Sequence, residues 1–503
     1  MKFNGRLLVI GCGSVSQCAI PLILKHLDIP ASKITIMDFA DNRARVQDAI
    51  KQGVNYVFDR VTEENYKELL AQYTGPGDMI IDLAWNIEAC AILQWCRENR
   101  ILYANTSIEE WNPYRDERRN DPTKYTLYMR HMEIRKMLER WGDNNGTSAI
   151  VDHGANPGLV SHFTKYALIQ IAEKILKEKP TDPRRAGLEA AIKSKQFAKL
   201  AQLSGVKVIH ISERDTQITD KPKKVNEFVN TWSIEGFFEE GVAPAELGWG
   251  THERIVPAGA YFHKEGPQNQ ICLDTIGMKT WVRSWVPCGE ITGMVIRHGE
   301  AFSISDRLTV WENGKAVYRP TVHYAYCPSD VAVNSLHELE MRQFRLQENQ
   351  RIMNDEIISG ADELGVLLMG HDFTSWWCGS LLDIDTARSL VPHQQATTLQ
   401  VAISVVAAAM WMIENPKSGV RLPDDIDHDF VLKIALPYIK PFVSQSVDWT
   451  PLKNLNTKFT KFDIQKPQEE DMWQFTTFLV DHKERGRAHS TDSAPSKREA
   501  VTI

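Results

Sequence analysis

The sequence predicts an α/β protein with a Rossmann-type, doubly wound parallel sheet domain and a second, mixed α/β substrate domain with a large antiparallel sheet. Two patterns carry this prediction. Between residues 6 and 106, short apolar runs alternate with helical patterns, an order typical of βαβ units in a parallel sheet. After about residue 200, runs rich in Val, Ile, Thr and aromatic residues follow one another between Gly and Pro, as antiparallel strands do.

The first domain begins with the strand "RLLVIG" and the helix "SQCAIPLILKHL". Because proline lacks an N–H and clashes inside a helix, we expect Pro21 to lie in the first helical turn or to kink the helix. The remaining elements, in order, are the strands "KITIMD" and "DMIIDLA", the helix "IEACAILQWCREN", the strand "ILYANTS", a charged helix around 123–141 and the strand "SAIVDHG".

The second domain is predicted from strand-like runs that Gly and Pro punctuate. These runs are "VKVIHISERD", "KVNEFVNTWS", "ERIVPAGAYF", "GEITGMVIRHGEAFSISDRLTVW" and "KAVYRPTVHYAY". Helical patterns return at 330–349 and 396–414. We expect the second of these helices to pack back on the first domain.

The shifts in pattern predict the domain boundaries. Residues 1–155 form an NAD-binding domain, completed by helices from about 365–430, and residues 156–364 form the substrate, catalytic and dimerisation domain. Residues 431–481 are expected to pack on the core. The polar stretch 482–503 is low in aromatic residues, and we expect it to be disordered.

Composition argues against several classes of protein. The 503 residues are 43% hydrophobic and 24% charged, and the net charge of −7 argues against a nucleic-acid-binding protein. The most apolar run, 399–413, is shorter than the roughly 18 residues that indicate a membrane span, and the N-terminus lacks a secretory pattern. Eight cysteines without CxxC pairs indicate reduced thiols, no metal site and a cytoplasmic location.

Glycines between the first strand and the first helix predict a dinucleotide site. In "VIGCGSVSQ", Gly11 permits a tight turn and Gly13 lets the backbone approach a pyrophosphate. Ser16 takes the third position of the fingerprint, where Gly or Ala is usual. We expect Ser14, Val15 and Ser16 to offer the free N–H groups of the helix N-terminus to the phosphates. Any tight strand–turn–helix also favours glycine, so the motif gains weight from its βαβ context.

The ends of the strands supply further candidates. Asp38 ends the second strand, where an acid accepts a hydrogen bond from a ribose hydroxyl and favours NAD over NADP. Ligands of an open α/β sheet bind outside the carboxyl ends of its strands. Each residue there could alone form a turn, but together they favour a cofactor-binding lining: Asn86, Asn105, Thr106, Ala155 and Asn156.

Residues 230–253 combine carboxylates with aromatic rings: five Glu, two Trp and two Phe, without Lys or Arg. An organic cation is held well by carboxylates at its ends and an aromatic face along its length. A substrate carboxylate would instead require an arginine fork, which this stretch lacks, although arginines occur nearby in the second domain. The alternative is that Glu235, Glu239 and Glu240 line a solvated helix with Trp232 in the core.

Several motifs together resemble the family of bacterial homospermidine synthases, over nearly the whole chain short of the tail. They are "GCGSVSQ", "DHGANPGLVSHF", "TWSIEGFFEE", "TTLQVAISVVAAAMWMIENPKSGV" and "LPDDIDHDFVL". That family is related to saccharopine and carboxynorspermidine dehydrogenases. The resemblance implies NAD-dependent aminobutyl transfer: putrescine is oxidised to an imine, the amine is exchanged, and the hydride returns. Two putrescines, or spermidine and putrescine, would give homospermidine and ammonia, in a homodimer that binds neither membrane nor nucleic acid.

The resemblance also implies roles for individual residues. Trp232 would be the cation–π wall beside the nicotinamide, and Glu213 and Glu240 would anchor or deprotonate amines. Asn156 would orient the substrate or the nicotinamide. Because an amine must be neutral to give up a hydride, a carboxylate must accept its proton, and Glu213 is the expected base.

Three further positions complete the implied site. Glu109 would guard the amine-binding end, with Glu110 as the adjacent alternative. His298 and Asp362 would complete the polar wall, His298 as a catalytic residue and Asp362 as a substrate-binding residue. His298 alone could be an ordinary strand histidine, but with an unperturbed pKa near 6.5 it would suit proton transfer at neutral pH.

Two other functions fit the same residues. A saccharopine- or carboxynorspermidine-type NAD(P)-dependent dehydrogenase would exchange its cofactor each turnover and act on a substrate that carries a carboxylate. An arginine pair facing the nicotinamide would favour that enzyme, whereas an all-acid pocket favours the transferase. A sensor of polyamines or dinucleotides would bind without turnover.

Overall fold

The computed structural model describes residues 1–113, 121–455 and 467–480. The described residues form one large parallel sheet and one large mixed, mostly antiparallel sheet, besides three two-stranded pairs, and the predicted fold class is confirmed. The stretch 482–503, predicted to be disordered, lies outside the described residues.

The first sheet has seven strands, all parallel, in the order β22-β6-β5-β4-β1-β2-β3. The order reverses beside β1, so helices cover both faces. Its strands, numbered along the chain, are β1 (Leu7–Ile10), β2 (Ile34–Asp38), β3 (Asn55–Phe58), β4 (Met79–Asp82), β5 (Leu102–Asn105), β6 (Ala149–Ile150) and β22 (Val420–Arg421). Its connecting helices are α1 (Ser14–His26), α2 (Gln47–Lys51), α3 (Tyr66–Tyr73), α4 (Ala89–Asn99) and α5 (Leu127–Trp141).

The second sheet has ten strands, with β11-β12-β10-β17-β7-β20-β21-β23 in a row and the β13–β14 hairpin joined through β14 to β17. Only the β7–β17 pair is parallel among its described pairs. The strands are β7 (Val208–Asp215), β10 (Pro244–Gly248), β11 (Tyr261–Phe262), β12 (Gln270–Ile276), β13 (Trp281–Val286), β14 (Gly289–Met294), β17 (Thr321–Cys327), β20 (Ala361–His371), β21 (Thr374–Asp383) and β23 (Phe442–Val447).

In the described part of the chain, short strand pairs and ten more helices surround this sheet. The pairs are β8 (Ile218–Thr219) with β19 (Ile357–Ser359), β9 (Glu227–Asn230) with β18 (Asn349–Ile352), and β15 (Val310–Glu312) with β16 (Lys315–Tyr318). The helices are α6 (Leu159–Glu178), α7 (Arg185–Lys193), α8 (Phe197–Ser204), α9 (Ile234–Val242), α10 (Gly299–Arg307), α11 (Asp330–Met341), α12 (Ile384–Leu390), α13 (Ala396–Glu414), α14 (His428–Ala435) and α15 (Phe475–Phe478).

One local prediction was wrong. The long strand run that starts at "GEITG" breaks after β14, and α10 occupies its middle. Seven of the nine residues of α10 are buried, and the run "FSIS" within it alternates apolar and polar residues with the period of a strand. Pro21 lies beyond the first turn of α1 and is exposed; the other alternative, that it kinks the helix, stays a prediction.

Helix α13 joins the two halves of the molecule. By length and composition it could span a membrane, but 78% of its apolar window is buried in the protein. It packs against α1 and α14, and its apolar residues belong to the same core cluster as those of α1, α6 and the second sheet. We therefore interpret α13 as a core helix; the domain boundaries remain predictions.

Replacing a buried side chain of α13 should destabilise the fold. Ile403 is 0% exposed, and an Ile→Ala substitution in a core costs about 2–5 kcal/mol. We expect Ile403→Ala to lower the free energy of unfolding by this amount in denaturant titrations. Ile413→Ala, on the half-buried last turn of the same helix, is the matched control; an equal loss from both variants would contradict the assignment of α13 to the core.

Candidate functional site

A cavity of about 720 Å³ lies between the carboxyl ends of the parallel strands and the second sheet. On one side it is lined by the ends of β1, β2, β4, β5 and β6 or the residues that follow them. On the other side it is lined by Glu213 of β7, Tyr324 of β17, Trp232, α9 and His298. Parallel strands of a sheet end at one edge, which explains why residues distant in sequence meet here.

The turn before α1 fits a pyrophosphate. Gly11 has a φ of +90°, and a Cβ there would lie 2.8 Å from the carbonyl oxygen of Leu83. A Cβ on Gly13 would meet no atom of the described chain within 4 Å, so this space is open to a ligand. Among the described residues no side chain caps α1, and the buried hydroxyl of Ser16 has no hydrogen-bond partner. The first N–H groups of α1 are therefore available to an anion.

Asp38, the last residue of β2, lines the cavity close to the turn before α1. Its carboxylate accepts hydrogen bonds from the N–H groups of Cys12 and Ala40, the latter at 2.7 Å. Phe39 beside it is 63% exposed and lines the cavity, with the Arg60 guanidinium 5.1 Å from its ring centroid. Phe39 and Arg60 were not predicted to line the cavity, because only the fold brings the residue after β2 and the residues after β3 together.

Nearly all of the predicted cofactor residues line this cavity. Asn105 is an exception: its side-chain oxygen accepts the N–H of Asp152 at 2.9 Å, and its amide donates to the Tyr103 hydroxyl at 3.1 Å. Asn105 thus ties β5 to the loop after β6 from outside the lining. The residues that do line the cavity are Gly11, Gly13, Ser14, Val15, Ser16, Asp38, Asn86, Thr106, Ala155 and Asn156.

An aromatic wall faces the substrate half of the cavity. The indole N–H of Trp232 donates to the Tyr326 hydroxyl at 2.8 Å, and the Trp232 ring lies 5.3 Å from that of Phe237. Tyr324 and Tyr326 stack at 5.1 Å. The ring of Trp232 is therefore fixed rather than free to rotate away, and it offers a half-buried aromatic surface to a cation.

Glu213 lies against this wall and is held by two donors. The Tyr324 hydroxyl and the Asn156 amide both donate to its Oε2, the amide at 3.1 Å. Burial is the main reason that the pKa of Glu213 rises to about 7, and the negative charge of Asp215 adds to the effect. A carboxyl group with such a pKa can accept a proton at neutral pH.

Asp362 lies behind Glu213 rather than in the lining. It is 1% exposed and accepts a hydrogen bond from the Thr397 hydroxyl at 2.6 Å. Burial, and then the charges of Glu213 and Asp215, raise its pKa well above the usual range. In this position Asp362 can influence Glu213, but a substrate in the cavity would not reach it directly.

His298 lies between two carboxylates. Its Nε2 is 3.1 Å from Glu240 and its Nδ1 is 3.3 Å from Glu300. Burial lowers the pKa of His298, but Glu300 and Glu240 outweigh burial and raise it well above the usual value. The expectation of an unperturbed pKa near 6.5 is wrong, and we interpret His298 as a standing cation that positions Glu240.

The loop after β5 places Glu109, rather than Glu110, in the described lining. The Ser107 hydroxyl donates to Glu109 Oε1 at 2.7 Å. Burial, and then the charge of Glu239, raise the pKa of Glu109 to about 8. The carboxyl of Glu110 lies 4.0 Å from Arg130 Nη2.

Two arginines that the sequence analysis did not place also line the cavity. Arg130 of α5 and Arg297, which follows β14, both donate to Oε1 of Glu239. These arginines outweigh the effect of burial and lower the pKa of Glu239. The cavity wall therefore carries basic as well as acidic side chains. No signal in the sequence indicated that the helix of Arg130 reaches this site.

The acidic stretch 230–253 does not form one slot. Glu246 accepts the N–H groups of Leu127 and Tyr128 at the start of α5, at 2.7 and 3.1 Å, and Glu253 accepts the Thr321 hydroxyl at 2.6 Å. Trp249 packs on the apolar core of the second sheet. These residues stabilise the fold, and the cavity receives only the part of the stretch around α9.

Comparisons with known proteins agree with this geometry. A saccharopine dehydrogenase NADP binding domain model matches residues 7–150, and a saccharopine dehydrogenase C-terminal domain model matches residues 154–447. The chain is 38% identical to homospermidine synthase of Mesorhizobium japonicum, over 95% of this chain and 97% of that protein. It is 39% identical to homospermidine synthase of Blastochloris viridis, over 95% and 98%.

A solved structure is similar over the same length. The crystal structure of homospermidine synthase from Legionella pneumophila in complex with NAD matches with a TM-score of 0.84 at 37% identity. The match covers 96% of this chain and 99% of that one.

The open space at Gly13 predicts a selective defect. Gly13→Ala should weaken NAD binding about tenfold or more, equivalent to about 1.4 kcal/mol, because the new methyl group enters the space of the pyrophosphate. The unliganded variant should lose less than about 1 kcal/mol of stability. Titration calorimetry and thermal unfolding measure the two effects. Gly11→Ala adds strain at a positive φ, so this variant should lose both NAD affinity and thermal stability. Unchanged NAD affinity in Gly13→Ala would contradict the assignment of this turn to the pyrophosphate.

Proposed function

The chain belongs to the homospermidine synthase family, and we propose that it makes homospermidine and ammonia from two putrescines, or from spermidine and putrescine. It is an NAD-dependent transferase. The similarity that the sequence motifs indicated is thereby confirmed. The observation that carries the proposed reaction is a single cavity in which Trp232, Glu240 and Glu213 lie opposite the nucleotide turn.

The residues of the nucleotide half fit NAD. When bound, NAD would accept a hydride from the carbon that bears the reacting amine and return it to the imine of the product, without net oxidation. The turn at Gly11 and Gly13 and the N-terminus of α1 would hold the pyrophosphate. Asp38 would accept a ribose hydroxyl and repel a 2′-phosphate, which supports NAD rather than the NADP of the matched family model.

Glu213 is the proposed base. A polyamine amine is protonated in water and must lose that proton before its carbon can release a hydride. With a pKa of about 7, Glu213 can take the proton at neutral pH and return it to the leaving ammonia. Tyr324 and Asn156 keep its carboxylate in place. Asp362, behind it, would modulate this step.

Trp232 and the acidic groups would hold the rest of the substrate. A cation over tryptophan gains roughly 0.5–2 kcal/mol, which would steady both ammonium groups and the cationic imine. Glu240, positioned by His298, would anchor an ammonium group, and Glu109 would guard the amine-binding end.

The competing functions are less well supported. A dehydrogenase of the saccharopine type needs cations for the carboxylate of its substrate, and here Glu239 already binds Arg130 and Arg297. A sensor would not need a buried base such as Glu213. A homodimer and a cytoplasmic location remain predictions.

Turnover of putrescine alone tests the reaction. Purified protein that retains its NAD should release ammonia and homospermidine in equal amounts from putrescine, and absorbance at the NADH band should not accumulate. Mass spectrometry and an ammonia assay measure the products. Steady formation of free NADH would favour the dehydrogenase, and polyamine binding without ammonia would favour the sensor.

The site variants test the roles. Glu213→Gln should lower kcat about 100-fold or more, since a positioned base contributes about 10²–10⁴-fold, and Trp232→Ala should lower kcat/KM about tenfold or more. Both should bind NAD normally. Trp311→Ala and Glu312→Gln, exposed neighbours on the β15–β16 hairpin, are the matched controls.

The pH profile separates Glu213 from a structural role. Because burial raises the pKa of Glu213 to about 7, its basic form predominates only above that pH. The kcat/KM of the native chain should therefore rise through about pH 7, and Glu213→Gln should lack this rise. Full activity of both site variants, or an unchanged profile, would refute the assignment.

A further inference from the structure

Two guanidinium groups in the cavity wall converge on one carboxylate oxygen of the chain itself. Arg130 and Arg297 both donate to Oε1 of Glu239. The side chains are only 6%, 2% and 6% exposed, in that order. Other donors of the two arginines bind the carbonyl oxygens of Ile108 and Tyr125, which fix the positions of the arginines.

Such a pair of arginines is the arrangement that proteins use to bind a carboxylate ligand. Guanidinium groups bind carboxylates with directed, charge-assisted hydrogen bonds. Two of them buried without an anion would be costly, because an unpaired buried charge is strongly destabilising. In this chain the anion comes from α9, so the fork formed by Arg130 and Arg297 is already filled.

The filled fork borders the slot for the amines. Glu239 is followed on α9 by Glu240, which lies against His298, and all three residues line the same cavity. Glu109, whose pKa is raised by burial and by Glu239, lines it nearby. A substrate carboxylate that reached the fork would therefore lie within the same cavity as the amine groups.

We propose that Glu239 occupies the place of a substrate carboxylate and so restricts the slot to amines that carry no carboxylate. This rests on the proposed function, since it specifies which amines the slot accepts. Glu239 acts in two ways: it fills the space of the carboxylate, and it neutralises the charge that would attract one. Glu240, on the same wall, adds repulsion toward an incoming anion.

Chemical rescue tests the carboxylate site without any turnover. Glu239→Ala removes CH₂–COO⁻, for which acetate is the matching probe. The melting temperature of the NAD-loaded variant should be several degrees higher in sodium acetate than in sodium chloride at equal ionic strength. The native chain should show no such difference. Glu235→Ala, at an exposed position earlier on α9, is the matched control and should not respond to acetate.

Whether acetate acts through the two arginines is tested by replacing one of them. The double variant Arg130→Met, Glu239→Ala should lose the specific response to acetate. Equal melting temperatures of Glu239→Ala in acetate and chloride would overturn the proposal, as would a response that persists in the double variant.

Selectivity provides the second readout. Ornithine is putrescine with a carboxylate on an amine-bearing carbon, so it is the matched probe. We expect Glu239→Ala to gain at least tenfold in affinity for ornithine relative to putrescine, measured by competition or by ligand-induced thermal shift. Glu239→Gln keeps the size of the side chain and should also gain affinity for ornithine relative to putrescine. It replaces the alanine variant in this test if that variant does not fold. An unchanged ratio in the folded variant overturns the proposal.

The two proposals fail in different ways. A native chain that does not convert putrescine would refute the transferase reaction, while the acetate response of Glu239→Ala would still report on the fork. A native chain that makes homospermidine, with no acetate response in the variant, would refute only the role of Glu239.

Discussion

Charge buried in a protein has to be paired, and this requirement organises the wall of the cavity. Helix α9 carries two consecutive glutamates, and each is bound to a cation from another element. Glu239 binds Arg130 of α5 and Arg297, and Glu240 binds His298 at the start of α10. These contacts hold α9 against both halves of the molecule. Because Trp232 immediately precedes the Ser233 cap of α9, the same contacts help to place the aromatic wall.

Environment, rather than residue type, separates the roles of the carboxyl groups. Burial and a neighbouring carboxylate raise the pKa of Glu213, whereas two arginines lower that of Glu239. One group is therefore able to exchange a proton near neutral pH, and the other remains an anion. Groups whose surroundings push their pKa values apart are suited to different tasks in one site. The same rule applies to His298, whose pKa burial lowers but Glu300 and Glu240 raise.

Much of the fold could be predicted because its signals are local. The apolar runs of β1, β2, β4 and β5 alternate with helical patterns, and the glycines of the turn before α1 stand beside them in sequence. Helix α10 was missed because its run "FSIS" alternates apolar and polar residues with the period of a strand, although the folded chain buries nearly all of the helix. Glu246 and Glu253 were counted with the acidic stretch 230–253 because the sequence does not show that their partners lie on other elements.

Local pattern and motif similarity were enough for the fold class, the glycine turn before α1 and the family, and most of the site residues that they predicted line the cavity. They could not show which carboxylate faces the cavity, which lies behind another, and which is already bound. Glu109 and Glu110 are adjacent in sequence, yet the turn of the loop after β5 separates them. Arg130 reaches Glu239 across 109 residues, and Asp362 lies behind Glu213 through the register of β20 against β7. Pairing and burial are properties of the packed structure, because the electrostatic energy of a side chain depends on what surrounds it in space.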